Sequence, residues 1–519
     1  VTASVWETTP LRPVPEHGQP EIVIGPDEAR VIDEAIAILA RAPEVYQRGA
    51  ELVEVIVDDP TTQGVIRGGP IARVHRCPEA RVRELLARGA VWLGRDGGDG
   101  QRIVHPPQWV VRGVMARGTW SGIRRLVAVA EAPTMRPDGT LIMEPGYDPA
   151  TGIYLAPGVS LAVVDSPTQA DAKRAVAELL DIVADFPAAS AAARSAWLSG
   201  VLTVAVRPAI DGPTPMIIID ATIRGAGKTL MADAASVTAT GRPASRMIYV
   251  DDDAEIRKRI TALALVGDPL ALLDNVVGEL GCASLDAALT GTTWRDRVLG
   301  ASAMTADLPL RIVWWATGNG LTIGADLVRR ALLVRLEPLV ERPEERTGWR
   351  YPRLLDHVRQ HRAELLSAAL TIVRAYVVAG RPDMQLTPMG SYEAWSDLVR
   401  SAIVWAGAPD PCDTVAELRA ADTRTDAFRA VVERWPAQDG DPLTVGDLLE
   451  RATPGSPWRA ALVEWCPPRG DAELPTARAL GYRLRAVRRR VVGVRMIDAG
   501  QRSADGATWA RIRIDGGTP

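Results

Sequence analysis

The run Met216-Ile-Ile-Ile-Asp220-Ala-Thr-Ile-Arg-Gly225-Ala-Gly-Lys228-Thr229 decides the fold. Its opening is a short apolar stretch ending in an acid, the pattern of a parallel strand covered on both faces. The loop after it matches the phosphate-binding pattern Gly-x-x-x-x-Gly-Lys-Ser/Thr except at the first position, where Thr222 stands. Glycines at 225 and 227 let main-chain N–H groups turn inward, and a helix starting at Thr229 adds its dipole. Of 60 basic residues only Lys173, Lys228 and Lys258 are lysine. A phosphate loop is a place where a compact ammonium is needed and a planar guanidinium does not serve. Gly225, Ala226, Gly227, Lys228 and Thr229 are therefore candidate nucleotide-binding residues, with the Thr229 hydroxyl a candidate Mg2+ ligand.

Working outward, strand and helix patterns alternate. Strands are predicted at Met247 to Val250, Leu270 to Asp274, Leu310 to Thr317 and Ala331 to Leu336, with helices at Thr229 to Val237 and Ala254 to Leu265. This alternation predicts a doubly wound α/β core. Leu270-Ala-Leu-Leu-Asp274-Asn275 places a carboxylate at a strand's C-terminal end, where it can reach a metal ion. Asp274 is the second candidate metal ligand. Asn275 follows where a water-polarising acid is expected; an amide orients water but takes no proton. Either another acid serves, Glu279 or Glu255, or turnover is slow. Leu310-Arg-Ile-Val-Trp-Trp-Ala-Thr-Gly-Asn319 ends a strand in an amide suited to the γ-phosphate and the lytic water. Arg329 and Arg330 close Asp326-Leu-Val-Arg-Arg330 and are candidate fingers acting on a neighbouring subunit's nucleotide.

With Trp294-Arg-Asp-Arg-Val-Leu-Gly300 added, this succession resembles the phage and plasmid primase-helicase ATPases of the superfamily 3 (AAA+) helicase group. The resemblance covers residues 170–400 and extends to the C-terminal region. It implies an AAA+ P-loop ATPase core using ATP and Mg2+, assembled as a homo-oligomeric ring, usually a hexamer, that translocates on single-stranded or forked DNA. By the same resemblance Lys228 and Thr229 match Walker A, Asp274 and Asn275 match Walker B, Asn319 matches sensor 1, and Arg330 or Arg329 matches the finger. Arg295 and Arg297 fall where the family places a DNA-contacting pore hairpin. A primase or polymerase is an implied partner. No metal-binding acid pattern of a primase is present, so priming is not implied. Thr222, Asn275 and Gly320 depart from the family pattern and bear on catalytic speed.

The fold class expected is multidomain α/β: a disordered lead-in (1–20), an α+β N-terminal domain (21–165), a helical connector (166–210), the ATPase core (211–345), a helical lid or collar (346–435) and a winged-helix DNA-binding domain (443–519). The net charge is −4, yet residues 471–519 carry ten arginines against five acids, leaving −9 for the remainder. A basic end on an acidic body predicts a localised polyanion contact. Arg478, Arg483, Arg485, Arg488, Arg489 and Arg490 are its candidate DNA-binding residues. If about five phosphates were neutralised, the log–log salt slope would be roughly −4 to −5.

The four cysteines are scattered, which argues against a disulfide framework or zinc ribbon and fits a reducing cytoplasm. No apolar run approaches the roughly 20 residues that span a bilayer, and no secretory signal is read, so a cytoplasmic protein without a membrane partner is expected. His357 and His361 are read as a helix face rather than a metal pair, Trp109 and Trp120 as core aromatics, and Lys258 as part of a solvated charge run. Two other functions stay open: an ATP-binding, DNA-bound scaffold or switch with little turnover, and a phage-defence ATPase.

Overall fold

All six side chains of β1 (Met216–Ala221) are buried, as a strand covered on both faces requires. The computed structural model describes residues 18–58, 71–95, 100–297, 304–305, 307–324, 326–338, 340, 342–420, 423–468, 472–489, 491–492, 494–500 and 507–513. Most of the expected lead-in, part of the segment after Trp294, and Arg490 lie outside the described residues.

From β1 the chain passes through α1 (Lys228–Thr240), β2 (Ser245–Ile248), α2 (Asp253–Val266), β3 (Leu270–Val276), α3 (Ala283–Thr290), β4 (Val313–Asn319) and β5 (Ala331–Leu336). The five strands form one parallel sheet in the order β2-β3-β4-β1-β5. This is a mixed α/β fold built on a parallel sheet with helices. Because β3, β4 and β1 are neighbours, their C-terminal ends open side by side, where ligands of open α/β sheets bind. Beneath the sheet, the buried helix Ala191–Ala205 approaches β4 closely at Gly200, where a Cβ would collide with the Trp315 indole. Trp197 fastens this helix to α1 by donating its indole N–H to the Met231 carbonyl at 2.9 Å.

Several boundaries differ from those read in the sequence. The second strand is Ser245–Ile248, displaced toward the N-terminus, and the strand carrying Asn319 begins at Val313. Leu308–Pro309 instead pairs antiparallel with Thr293–Trp294, and Arg297 bridges Met304, so the segment holding Arg295 and Arg297 doubles back on itself. Within the segment read as a helical lid or collar, two helices, Leu354–Gln360 and Arg362–Val378, are divided at His361. The His357 ring stacks on Tyr351 at 3.9 Å, and among the described residues no His/Cys/Asp/Glu group could hold a metal as a cluster of three.

The described residues between 21 and 165 hold small sheets and three helices. Ile71–Arg76, Glu51–Asp58, Tyr46–Arg48 and Arg124–Arg125 form a four-stranded sheet in that order. The helices Glu28–Arg41, Glu79–Gly89 and Gln108–Ala116 enclose a core containing Trp92 and Trp120, with Trp109 packed at its edge. No helix among the described residues is long and apolar enough to cross a membrane.

A second compact unit is made of residues 278–280, 322–329 and 415–519. Within it, β6 (Leu443–Thr444) leads into α4 (Val445–Glu450), α5 (Pro457–Trp465) and α6 (Ala477–Ala486), followed by β7 (Val491–Val492), β8 (Arg495–Ala499) and β9 (Thr508–Arg513). The sheet is antiparallel in the order β6-β9-β8-β7. β7 pairs with β8, and β9 lies between β8 and β6, the strand that precedes the helices. Trp435, Trp458, Trp465 and Trp509 share this unit's core.

Candidate nucleotide-binding site

The cradle begins with backbone demands. Gly225 and Gly227 have φ of 77° and 83°, the left-handed region that other residues avoid. A Cβ on Gly227 would also come within 2.6 Å of the Phe186 ring, and one on Gly225 would run into the Glu344 carboxylate. Thr222 makes no such demand. It continues the sheet geometry, donating its N–H to the Leu336 carbonyl at 3.3 Å, so glycine is not required at the first position.

Lys228 opens α1 and is only 9% exposed. Its ammonium donates to Asn319 Oδ1 at 2.7 Å, joining the loop after β1 to the end of β4. Burial pulls its pKa below the ordinary lysine range, while Asp220 and Asp274 oppose that shift. Thr229 donates its hydroxyl to Asp274 Oδ1 at 2.9 Å, and Thr317 donates to the same oxygen at 2.7 Å. Thr317 Oγ1 in turn accepts the Asn275 N–H at 2.9 Å. A cleft of about 440 Å3 is lined by these residues together with Arg224, Gly225, Gly227 and Leu230.

This donor set fits a magnesium–triphosphate group. A hydroxyl and a carboxylate converge within 3 Å beside a glycine cradle with a lysine, which suits an ion that takes one or two protein oxygens and completes its shell with phosphate and water. Neighbouring strands beyond Leu273 fall out of step, and Asn275 sits at this bulge with φ of 53°. Asparagine is among the few side chains that tolerate that conformation. The residue read as a missing acid is therefore also the residue the backbone calls for. Gly320 likewise has φ of 59°.

Sequence reasoning missed three contributors. Thr317 stands two residues before Asn319, and its hydroxyl orients Asp274. Asp220, at the C-terminal end of β1, is buried and ion-paired with Arg335 of β5. Burial raises its carboxyl pKa, and Arg335 opposes the shift. Arg246 of β2 lies 3.9 Å from Asp274 and 2.8 Å from Asp233. Asp220, the acid closing an apolar run, and Thr317, two residues before a strand's terminal amide, carried a signal in the sequence, whereas Arg246 carried none.

The remaining candidates are placed as follows. Arg330 is 16% exposed and pairs with Asp286 at 2.8 Å; Arg329 is 64% exposed and pairs with Asp326 at 2.6 Å. Glu255 is held by Arg259 at 3.1 Å and by Lys258 at 3.4 Å, and does not line the cleft. Arg295 and Arg297 are exposed. In the second unit Arg478 and Arg485 are exposed on α6, whereas Arg483 donates to the Trp465 carbonyl. Arg488 and Arg489 lie beyond the helix, where both clasp Asp498, at 2.6 and 2.7 Å. Half of the arginines read as one basic surface are thus engaged with their own unit.

The chain matches no protein-family model and no curated protein. Among solved structures it is similar to the A-form apo structure of the NrS-1 C-terminal region, at 10% identity over 79% of this chain and 92% of that one, with a TM-score of 0.32. It is similar to SCCmec type IV Cch, an active helicase, at 9% identity over 91% and 97%, with a TM-score of 0.31. The JCV helicase aligns at 12% identity over 50% and 72%, with a TM-score of 0.21. No residue role passes from these proteins to this chain.

Proposed function

We propose that the chain is an ATP-dependent DNA helicase or replication initiator of a phage, plasmid or integrated mobile element, built on an AAA+ core. The observation that carries the nucleotide half of this reading is the convergence of Lys228 with Asn319 and of Thr229 and Thr317 with Asp274, from three adjacent strand ends. The strand order, with β1 between β4 and β5, supports it. The DNA half rests on the motif resemblance, on the exposed arginines of α6 and on the helices-then-sheet order of a winged helix.

Bound Mg2+ would neutralise phosphate charge as the terminal phosphoryl group leaves. This chain's residues do the rest. Main-chain amides at 225–228 and the Lys228 ammonium bind the phosphates, Thr229 and Asp274 hold the ion, and Thr317 keeps Asp274 aimed. Asn319 orients the attacking water. Arg329, exposed and held only by a surface pair, is the better placed finger for a neighbour's nucleotide; such fingers are worth roughly 10³–10⁵ in rate where measured. Arg330 is the poorer candidate because Asp286 already holds it. Arg295 and Arg297 would follow single-stranded DNA through a ring.

One observation favours a second reading, an ATP-held DNA scaffold with little turnover: among the described residues, Asp274 is the one carboxylate that lines the cleft. Strand displacement separates the two. ATP-driven unwinding that is lost in Lys228→Ala supports the helicase. Nucleotide-stabilised DNA binding with no unwinding under any ATP concentration supports the scaffold, and failure of the parent chain to bind ATP sinks both.

A further inference from the structure

At the N-terminal ends of the sheet strands, opposite the phosphate cradle, lies a second cavity, of about 70 Å3 and partly open to solvent. It is bounded by the entries to β3 and β4 at Pro269 and Ile312, by the C-terminal ends of α1 and α2, and by residues 127–134. Most of its wall is apolar, including Val127, Val129, Pro133 and Val204. Three guanidinium groups nonetheless face it: Arg48, Arg207 and Arg311.

None of the three has a carboxylate within ion-pair distance among the described residues. Arg48, 6% exposed, donates to the Leu265 and Ala264 carbonyls at 2.6 and 2.9 Å, capping the C-terminal end of α2, and its Nε has no partner. Arg207, also 6% exposed, donates to the Ile210 and Gly212 carbonyls at 3.1 and 2.9 Å, and its Nε is likewise unpartnered. Arg311 has no hydrogen-bond partner among the described residues. Burial, and then the proximity of Arg311, push the Arg207 guanidinium down to about 9, with only Asp211 opposing. The two carboxylates in the wall, Glu131 and Asp268, are both taken by Arg242, each at 3.0 Å. Like charges out of water without a counter-ion are costly, and a bound anion relieves that cost directly. Guanidinium forks also match the geometry of carboxylate and phosphate oxygens.

We infer that this cavity is a second ligand site, taking a small amphipathic oxyanion: one phosphate or carboxylate group gripped by Arg207 and Arg311, with an apolar body against the valine-rich wall. It lies at the far end of the strands from the nucleotide cleft and does not depend on the reading of that cleft.

The test uses the full chain carrying Lys228→Ala, which silences the phosphate cradle, and phenyl phosphate as the probe in calorimetric titration. Saturable one-to-one binding is expected, weakened at least tenfold when Arg311→Met is added. Inorganic phosphate and phenol alone bind at least tenfold more weakly, and benzoate tells whether the arginines prefer a carboxylate head. Absence of saturable binding, or equal affinity with and without Arg311, overturns the inference. Should Arg311→Met not fold, phenylglyoxal labelling of the Lys228→Ala chain reads the same point by peptide mass. Phenyl phosphate protects Arg311 if the site exists, and unchanged labelling refutes it.

Discussion

Replacing Thr317 by valine removes one hydroxyl and almost no volume. Thr317 is 1% exposed, and its Oγ1 serves two partners, donating to Asp274 at 2.7 Å and accepting from the Asn275 N–H at 2.9 Å. Valine leaves that N–H without an acceptor, a loss of about 1–3 kcal/mol, and takes from the carboxylate a bond worth about 1.5–3 kcal/mol. The two share one atom and do not add fully, so a total near 2 kcal/mol is a fair central value. The end of β3 should then open roughly 30-fold more often, since about 1.4 kcal/mol is a factor of ten. Hydrogen exchange on a peptide spanning Leu270–Val276 reads this directly. Thr317→Ser, which keeps the hydroxyl, is the control and should stay within a few-fold of the parent. Magnesium-dependent nucleotide affinity should fall in the valine variant and not in the serine one. Exchange in the valine variant indistinguishable from the parent would refute the claim that this hydroxyl holds the carboxylate.

Three further outcomes follow from the geometry. Glu344→Gln removes a negative charge lying against Gly225; with solvent screening this is worth about 0.5–1 kcal/mol, so a fluorescent ATP analogue should bind roughly two- to fivefold tighter. Weaker binding would mean that the carboxylate assists the nucleotide. Gly227→Ala forces a side chain into left-handed backbone against Phe186, so nucleotide binding should be lost in titrations while helical circular dichroism is retained. In the second unit, Arg488 and Arg489 hold the Asp498 carboxyl at about 2, below its ordinary 3.8, so the stabilisation is complete above pH 3.8 and is lost as pH falls toward 2. Melting curves of Asp498→Asn should show a lower melting temperature at neutral pH and a flatter dependence between those two values; an unchanged acid profile would remove Asp498 from the account.

The parts of the site written in one contiguous stretch were legible. Gly225 to Thr229 can be read because a loop that wraps phosphate with its own backbone needs its glycines and lysine at fixed spacing. Asp274 and Asn319 could be found because strand ends are marked by a change from apolar to polar. What joins these pieces could not be read. The Thr317–Asp274 bond spans two strands and 43 positions, and nothing near either residue announces the other. The basic tail shows a related limit: a count of arginines does not reveal that Asp498 will engage two of them. Asn275 shows a different failure, since a residue type chosen by backbone geometry resembles one chosen by chemistry until φ is known. The arginines at 207 and 311 were hidden by abundance. Where nearly every cation is arginine, a buried one has no distinguishing mark.

The scarcity of lysine has a practical corollary. Side-chain amines occur at three positions, of which Lys173 and Lys258 are exposed and Lys228 is recessed with its proton held less firmly. An acylating reagent would therefore yield a footprint of three peaks, two serving as internal standards and the third as a gauge of the cradle. The chain carries, in its own composition, a nearly background-free readout of whatever occupies the glycine loop at Lys228.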